Sequence, residues 1–275
     1  MRVALVAAVK SKKKGQKRLG AKKVKDFERL ESKGEVLNPE EATAYRALSA
    51  RANYLALDRP DIAFAAKELC REFHEPTRNS YSKLKRLARY LKGRPRLIWL
   101  FNRQAAENVM NVSVDTDFAG CLKTRRSTSG GSAMIGQHLI KVWSTTQTTV
   151  ALSSGEAELS GIVRGASQAL GLQSVAADLG MRFSLAIHTD STAAIGMCRR
   201  RGLGKIRHLA VADLWIQDRV KAGDFQLHKV LGSLNSADLM TKYVDGPVLV
   251  EHLKRQGLQE EAGRAASAPK LPGDE

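Results

Sequence analysis

The order of its apolar segments constrains this chain most. Residues 110–116 alternate, with Val112 and Val114 on one face and Ser113 and Asp115 on the other, the period-two pattern of a half-buried strand. Two further strands are expected over residues 132–136 and 139–144, so three successive strands predict an antiparallel meander. Helix and strand then take turns: a helix over 153–179, a strand over 185–189, helices over 191–201 and 206–222, a strand over 224–230, and a last helix from Ser236. Three strands followed by this alternation imply an α/β chain, a mixed sheet with helices packed on its faces. There is no internal repeat.

Upstream the signals are helical. Asn38-Pro39-Glu40-Glu41 is a cap-like opening to a helix reaching about Leu55. Pro60-Asp61 opens a second helix with Ile62, Ala65, Leu69 and Phe73 on one stripe, broken by Pro76. A third, from Ser80, turns Tyr81, Leu84, Leu87 and Leu91 inward and carries Lys83, Lys85, Arg86, Arg89 and Lys92, continued by Arg94 and Arg96. Seven bases with no acid among them favour phosphate contact over a merely solvated face. A short apolar strand is expected over residues 97–101.

Charge narrows the partner class. Lys and Arg number 45 against 28 Asp and Glu, a net charge of +17, and such a field attracts polyanions, nucleic acid first among them. Ten of the bases lie in residues 1–25, which contain no acid and are expected to form a flexible basic arm. Residues 260–275, rich in Ala, Gly, Pro and charge, are expected to be a disordered tail. The expected organisation is an arm over 1–37, a helical segment over 38–104, an α/β unit over 105–245 and a tail over 246–275. No apolar run approaches the ~18 residues of a membrane span. The run over residues 3–9 ends at Lys10 without a cleavage site, so neither membrane insertion nor secretion is expected. Cys70, Cys121 and Cys198 are odd in number and far apart, against a disulfide scaffold or a cysteine zinc site. A reducing compartment, cytoplasmic or nuclear, is expected.

The acids carry the chemistry. Asp115 ends the first meander strand, and Asp190 ends a later strand immediately before a helix. Side by side in one sheet, two such strand ends would set two mutually repelling carboxylates at a common edge, and a hard divalent ion such as Mg²⁺ would relieve the repulsion. Either Asp alone also reads as a turn or cap residue. Ser153 and Glu156 have capping-box spacing, which gives Glu156 a structural task. Glu158 lies about 200° around the helix from Glu156, on a face shared with Ile162 and Gly165 that should pack on the sheet, where core packing does not explain an acid. Asp238 stands in the first turn of the last expected helix, where the helix dipole suffices to explain it.

Several segments, in order, carry a resemblance. The runs starting at Val114 (VDTDFAG), Arg126 (RSTSG), Val142 (VWS, with Gln147), Ala151 (ALSSGEAE) and Ala237 (ADLMTK) resemble the ribonuclease H domain of copia-type retrotransposon Pol polyproteins. Upstream, Tyr54 to Ile62 (YLALDRPDI) and Arg89 to Gly93 (RYLKG) resemble the segment joining that family's reverse transcriptase to its ribonuclease H. The resemblance implies a ribonuclease H-like fold with a five-stranded mixed sheet. It also implies a quartet of Asp115, Glu158, Asp190 and Asp238 holding two Mg²⁺ (or Mn²⁺) and cleaving the RNA strand of an RNA–DNA hybrid. Asp117 would support the site. Phe118 stands where the family carries Trp and is expected to stay an aromatic core residue. His208 occupies the histidine of a family Lys-His-Ile pattern written here Arg207-His208-Leu209. The implied partners are the hybrid and the polymerase part of Pol. No Asp-Asp pair occurs, so the acid motif of a polymerase is missing. A non-catalytic nucleic-acid-binding remnant is the alternative reading.

Overall fold

A computed structural model describes residues 34–202, 204, 214–263, 265 and 267. The arm up to residue 33, His208 with its neighbours, and most of the last twelve residues lie outside the described residues.

The helical segment begins as its caps dictate. Asn38 accepts a hydrogen bond from the Glu41 N–H (2.9 Å) with Pro39 next in line, starting α1 (Pro39–Leu55). After a 3-10 turn (Pro60–Ile62) comes α2 (Ala63–Cys70), and Thr77 and Ser80 cap each other at the start of α3 (Arg78–Gly93). The two upstream runs that carry the resemblance meet in the interior. Arg59 grips Asp61 with two bonds of 2.9 and 2.7 Å, Tyr90 donates to the same carboxylate (2.6 Å), and Arg59 also donates to the Arg94 carbonyl (3.0 Å) where α3 ends. Burying this ion pair is tolerable because every charged atom in it has a partner.

Beyond β1 (Arg96–Trp99) lies the main sheet: β2 (Val109–Asp117), β3 (Thr128–Ile135), β4 (His138–Thr146), β5 (Ser184–Thr189) and β6 (Gln226–Lys229). Its order is β4-β3-β2-β5-β6. β2, β3 and β4 form the expected antiparallel meander, and β5 and β6 add in parallel beside β2. A five-stranded mixed sheet with helices packed on it is what the resemblance implies. Helices α4 (Ser154–Asp178), α5 (Thr192–Arg199) and α6 (Trp215–Ala222) connect the later strands.

The sheet separates two cores. One, against α4 to α6, gathers Val112, Val114, Ile162, Ile187 and Ile216. The other joins Tyr45, Leu69 and Leu87 of the helical segment to Leu139 of β4 and to Leu239 and Met240 of a 3-10 turn (Ser236–Met240). Close approach of α4 to β2 depends on two glycines one turn apart. A Cβ on Gly161 would lie 2.5 Å from Thr116 Oγ1, and one on Gly165 2.4 Å from Val114 Cγ1.

Three expectations need correction. The tail expected from residue 246 is α7 (Gly246–Arg255) and β7 (Leu258–Glu261) as far as it is ordered into elements. Leu249, Leu253 and Leu258 are buried with the helical segment, and β7 pairs antiparallel with β1 in a separate two-stranded sheet. The helix expected from Ser236 is a short 3-10 turn, because Asn235 caps it and Leu239 and Met240 must reach the core within one turn. Phe118 is 42% exposed, not a core residue. No helix among the described residues is long and apolar enough to cross a membrane.

Candidate metal centre

Two strand ends, one helix and one turn supply the acids. Asp115 lies near the end of β2, 5% exposed. Asp190 follows the last residue of β5, directly before Ser191, whose hydroxyl caps α5. Glu158 sits in the second turn of α4. The start of that helix is pinned where Thr116 Oγ1 (3.3 Å) and Gln147 Nε2 (2.8 Å) both donate to the Ala157 carbonyl. Half of the capping box that the spacing predicts is present: the Ser153 hydroxyl accepts from the Glu156 N–H at 3.3 Å, while the Glu156 carboxylate accepts from the N–H of Leu152, one residue before the cap, at 2.8 Å. Glu158, with Gly161 and Gly165 on the face that meets β2, points an acid toward the sheet.

Ligand oxygens of Asp115, Glu158 and Asp190 lie within 4.8 Å of one another, the one group of this kind among the described residues. Asp238 stands just outside it. Its turn is moored on three sides: Asn235 Nδ2 donates to the Val114 carbonyl (2.8 Å), the Ser132 and Ser236 hydroxyls bond at 3.2 Å, and Ser144 donates to the Met240 carbonyl (2.5 Å). Thr241 donates its hydroxyl to Asp115, and Lys242 Nζ lies 2.9 Å from Asp238 and 3.9 Å from Asp115.

The electrostatics follow from burial and crowding. Glu158 is pushed up to about 8, by burial first and then by Asp115 and Asp190. Asp238 rises to about 6 through burial and Asp115, against the pull of Lys242. Asp117 also rises, through burial and Asp115, with Lys67 and Lys242 opposing. Asp117 faces α2, whose Lys67 donates to Thr128 (2.8 Å) and pairs with Glu68, itself held by Arg71 at 2.9 Å.

These shifts set a pH signature for the metal-free protein. Between pH 4.5 and about 8, Glu158 ionises in the unfolded chain but keeps its proton in the folded one, so stability falls as pH rises through that window. Asp238 adds to the fall up to about pH 6. Glu158→Gln removes the larger contribution. In EDTA at pH 8 the variant should unfold at a higher temperature than the wild type, by roughly 2–4 kcal/mol of stability, and the difference should vanish at pH 4. Thermal melts at the two pH values check this; a wild type more stable at pH 8 than the variant contradicts it.

The basic helix is less free than its composition suggests. Lys83 is held by Glu72 at 2.6 Å, Arg94 by Glu260, and Arg96 by Glu261 at 2.6 Å. Lys85 lies over the Tyr81 ring (4.9 Å) and stays exposed, as do Arg89 and Lys92, while Arg86 is half-buried. α3 packs on α1 and α2, and α2 packs on β4. His188, two residues before Asp190, stacks on His228 and bonds Asn111 at 2.9 Å.

Thr241 and Lys242 lie in a run that carries the resemblance, yet the sequence reading gave neither a role. The i, i+4 spacing of Asp238 and Lys242 was the available signal. For Thr241, Asn235 and Gln147 no spacing rule points to the carboxylates or helix they hold.

No family model matches the chain. Over 203 residues, 73% of its length, it is 30% identical to the retrovirus-related Pol polyprotein from transposon RE1 of Arabidopsis thaliana. Over 188 residues, 68% of its length, it is 27% identical to the Pol polyprotein from transposon TNT 1-94 of Nicotiana tabacum. Its relatives are retrovirus-related Pol polyproteins of copia-type transposons. The chain spans 14% of the length of each of these relatives. Among solved structures it is similar to the N-terminal RNase H domain of a Mycobacterium tuberculosis protein fused to maltose-binding protein, at 16% identity and a TM-score of 0.35. That likeness covers 54% of this chain and 98% of the other, and at such a score it carries no weight here.

Proposed function

We propose that this Pol segment is a metal-dependent endonuclease that hydrolyses the RNA strand of RNA–DNA hybrids, with Asp115, Glu158, Asp190 and Asp238 holding two Mg²⁺, which Mn²⁺ can replace. One observation carries the reading: carboxylates from two strand ends and a helix bring ligand oxygens within 4.8 Å of one another. The donors suit hard divalent ions. All are carboxylate oxygens, and Glu158 Oε2 and Asp238 Oδ1 are buried without a hydrogen-bond partner among the described residues. Bound there, the ions would make a water nucleophilic near neutral pH and stabilise charge on the leaving 3′ oxygen.

The residues divide the work by position. Asp115, buried in the middle of the group, would help to hold the ions, and the Thr241 hydroxyl orients its carboxylate. Asp190 and Glu158 complete the group, one from the end of the strand beside β2 and one from the helix packed on it. Asp238 completes the quartet from the moored turn. Asp117 supports the site from the α2 side, through its neighbours Asp115 and Lys67.

The duplex beyond the cleft is read through its phosphates. Of the five bases expected on the track, Lys83 is committed to Glu72, and the exposed Lys85, Arg89 and Lys92, with Arg86 beside them, extend the binding surface. In a chain beginning at residue 34, replacing these three exposed bases with Ala should flatten the log–log salt dependence of hybrid affinity by about two to three units. An unchanged slope returns α3 to a solvated face. The polymerase part of Pol is the protein partner this reading supplies.

The test is cleavage of a labelled RNA–DNA hybrid beside single-stranded RNA and duplex DNA, in Mg²⁺ and in EDTA. The proposal expects RNA-strand cleavage in the hybrid alone, and only with the metal. Hybrid binding without cleavage would contradict it and favour the non-catalytic remnant.

A further inference from the structure

Asp238 is not among the three tightly grouped carboxylates, and what stands between it and Asp115 is an ammonium. Lys242 Nζ is 2.9 Å from Asp238 Oδ2 and 3.9 Å from Asp115 Oδ2. The backbone prepares this placement: the Lys242 N–H donates to the Asp238 carbonyl at 3.2 Å, closing the turn, while the adjacent Thr241 is bonded to Asp115. Burial disfavours the charge, yet Asp115, Asp238 and Asp190 together hold the ammonium above its ordinary range. Its field also opposes the upward shifts of Glu158 and Asp117. One lysine therefore acts on all five acids. Its side chain is 48% exposed, so a path into solvent is open to it.

We propose that Lys242 is a built-in counter-cation: its ammonium occupies the second of two cation positions, between Asp115 and Asp238, and must leave before a second divalent ion binds there. This rests on the metal-dependent reading above. The two positions differ in kind. Asp115, Glu158 and Asp190 form a three-carboxylate group, and the nearest ammonium contact to that group is the 3.9 Å one to Asp115. At the Asp115–Asp238 position one oxygen of Asp238 is already spent on the lysine while the other, Oδ1, is buried without a partner among the described residues. An ion at the first position can bind with the lysine in place. An ion at the second must displace a positive charge and break its ion pair, so the sites fill in order and with unequal affinity. Until then the lysine neutralises part of the carboxylate repulsion, which otherwise falls on folding.

The experiment is a Mn²⁺ titration of the full chain, followed by the electron paramagnetic resonance signal of free Mn²⁺, on the wild type, Lys242→Met and Lys242→Arg. The wild type should bind one ion tightly and a second weakly. Lys242→Met should tighten the second by roughly 5- to 50-fold and move the first by less than about 3-fold. Lys242→Arg, which keeps the charge, should leave the second site weak. In EDTA, Lys242→Met should also melt lower than the wild type, and circular dichroism shows whether each variant folds. A second site unchanged or weakened in a folded Lys242→Met overturns the proposal. Absence of saturable Mn²⁺ binding by every protein overturns the metal-dependent reading itself, a result distinct from two ions bound alike by wild type and variant.

Discussion

Asp115→Asn should abolish hybrid cleavage, by on the order of a thousandfold or more in kcat, while the melting temperature in EDTA stays within a few degrees of the wild type. The amide keeps the size of the side chain and can still accept the Thr241 hydroxyl bond, so the local geometry survives. It loses the charge that a carboxylate ligand would bring to a divalent ion. Removing the Asp115 charge also eases its repulsion of Glu158 and Asp238, which offsets the lost attraction of Lys242. Asp117→Asn should cost much less, because Asp117 lies outside the tight group and faces α2. Equal losses from the two substitutions would show that the wrong member of the pair has been assigned, or that both are ligands.

A chain cut to residues 105–245 should fail to fold stably and should not cleave. The turn that carries Asp238 is anchored by Leu239 and Met240, which are buried together with Tyr45, Leu69 and Leu87 on the N-terminal side and with Leu249, Leu253 and Leu258 on the C-terminal side. Removing those flanks bares Leu139, Leu239 and Met240, each worth about 1.5–3 kcal/mol of burial. Their sum is comparable to the whole stability of an ordinary domain, about 5–15 kcal/mol. A chain of residues 34–263 retains both flanks and should melt cooperatively. Cooperative melting of the 105–245 piece at the same temperature would show that the sheet needs neither flank.

How much of this could be read in advance depended on where each residue's partner lies. The alternation around Val112 and Val114 reports a local property, the burial of one strand face, and the β2–β3–β4 meander follows it. Glu158 was conspicuous because a charged residue on the sheet-facing side of a helix contradicts its own neighbours, Ile162 and Gly165. Bases on α3 and just after it looked unrelieved because their acids are remote: Glu72, the partner of Lys83, precedes the helix by a loop, and Glu260 and Glu261, the partners of Arg94 and Arg96, arrive on β7 from the other end of the chain. The same long-range pairing places Glu260 and Glu261, the first two residues of the expected disordered tail, at the end of β7 opposite β1. Phe118 was assigned to a core by residue type alone, and its place beyond the end of β2 leaves it at the surface. Lys242 lay in plain view four residues after Asp238. Its second contact, to Asp115, depends on how the turn docks over β3, where a Cβ on Gly130 would come within 2.6 Å of Met240 and Thr241.

The most direct measurement of the central claim is anomalous diffraction from crystals of the protein grown in Mn²⁺. A peak coordinated by Asp115, Glu158 and Asp190 is expected, with a second between Asp115 and Asp238 appearing at higher Mn²⁺ as the Lys242 side chain moves out. A map with no anomalous peak at these carboxylates at saturating Mn²⁺, in a crystal whose Asp115, Glu158 and Asp190 keep the arrangement described here, would contradict it.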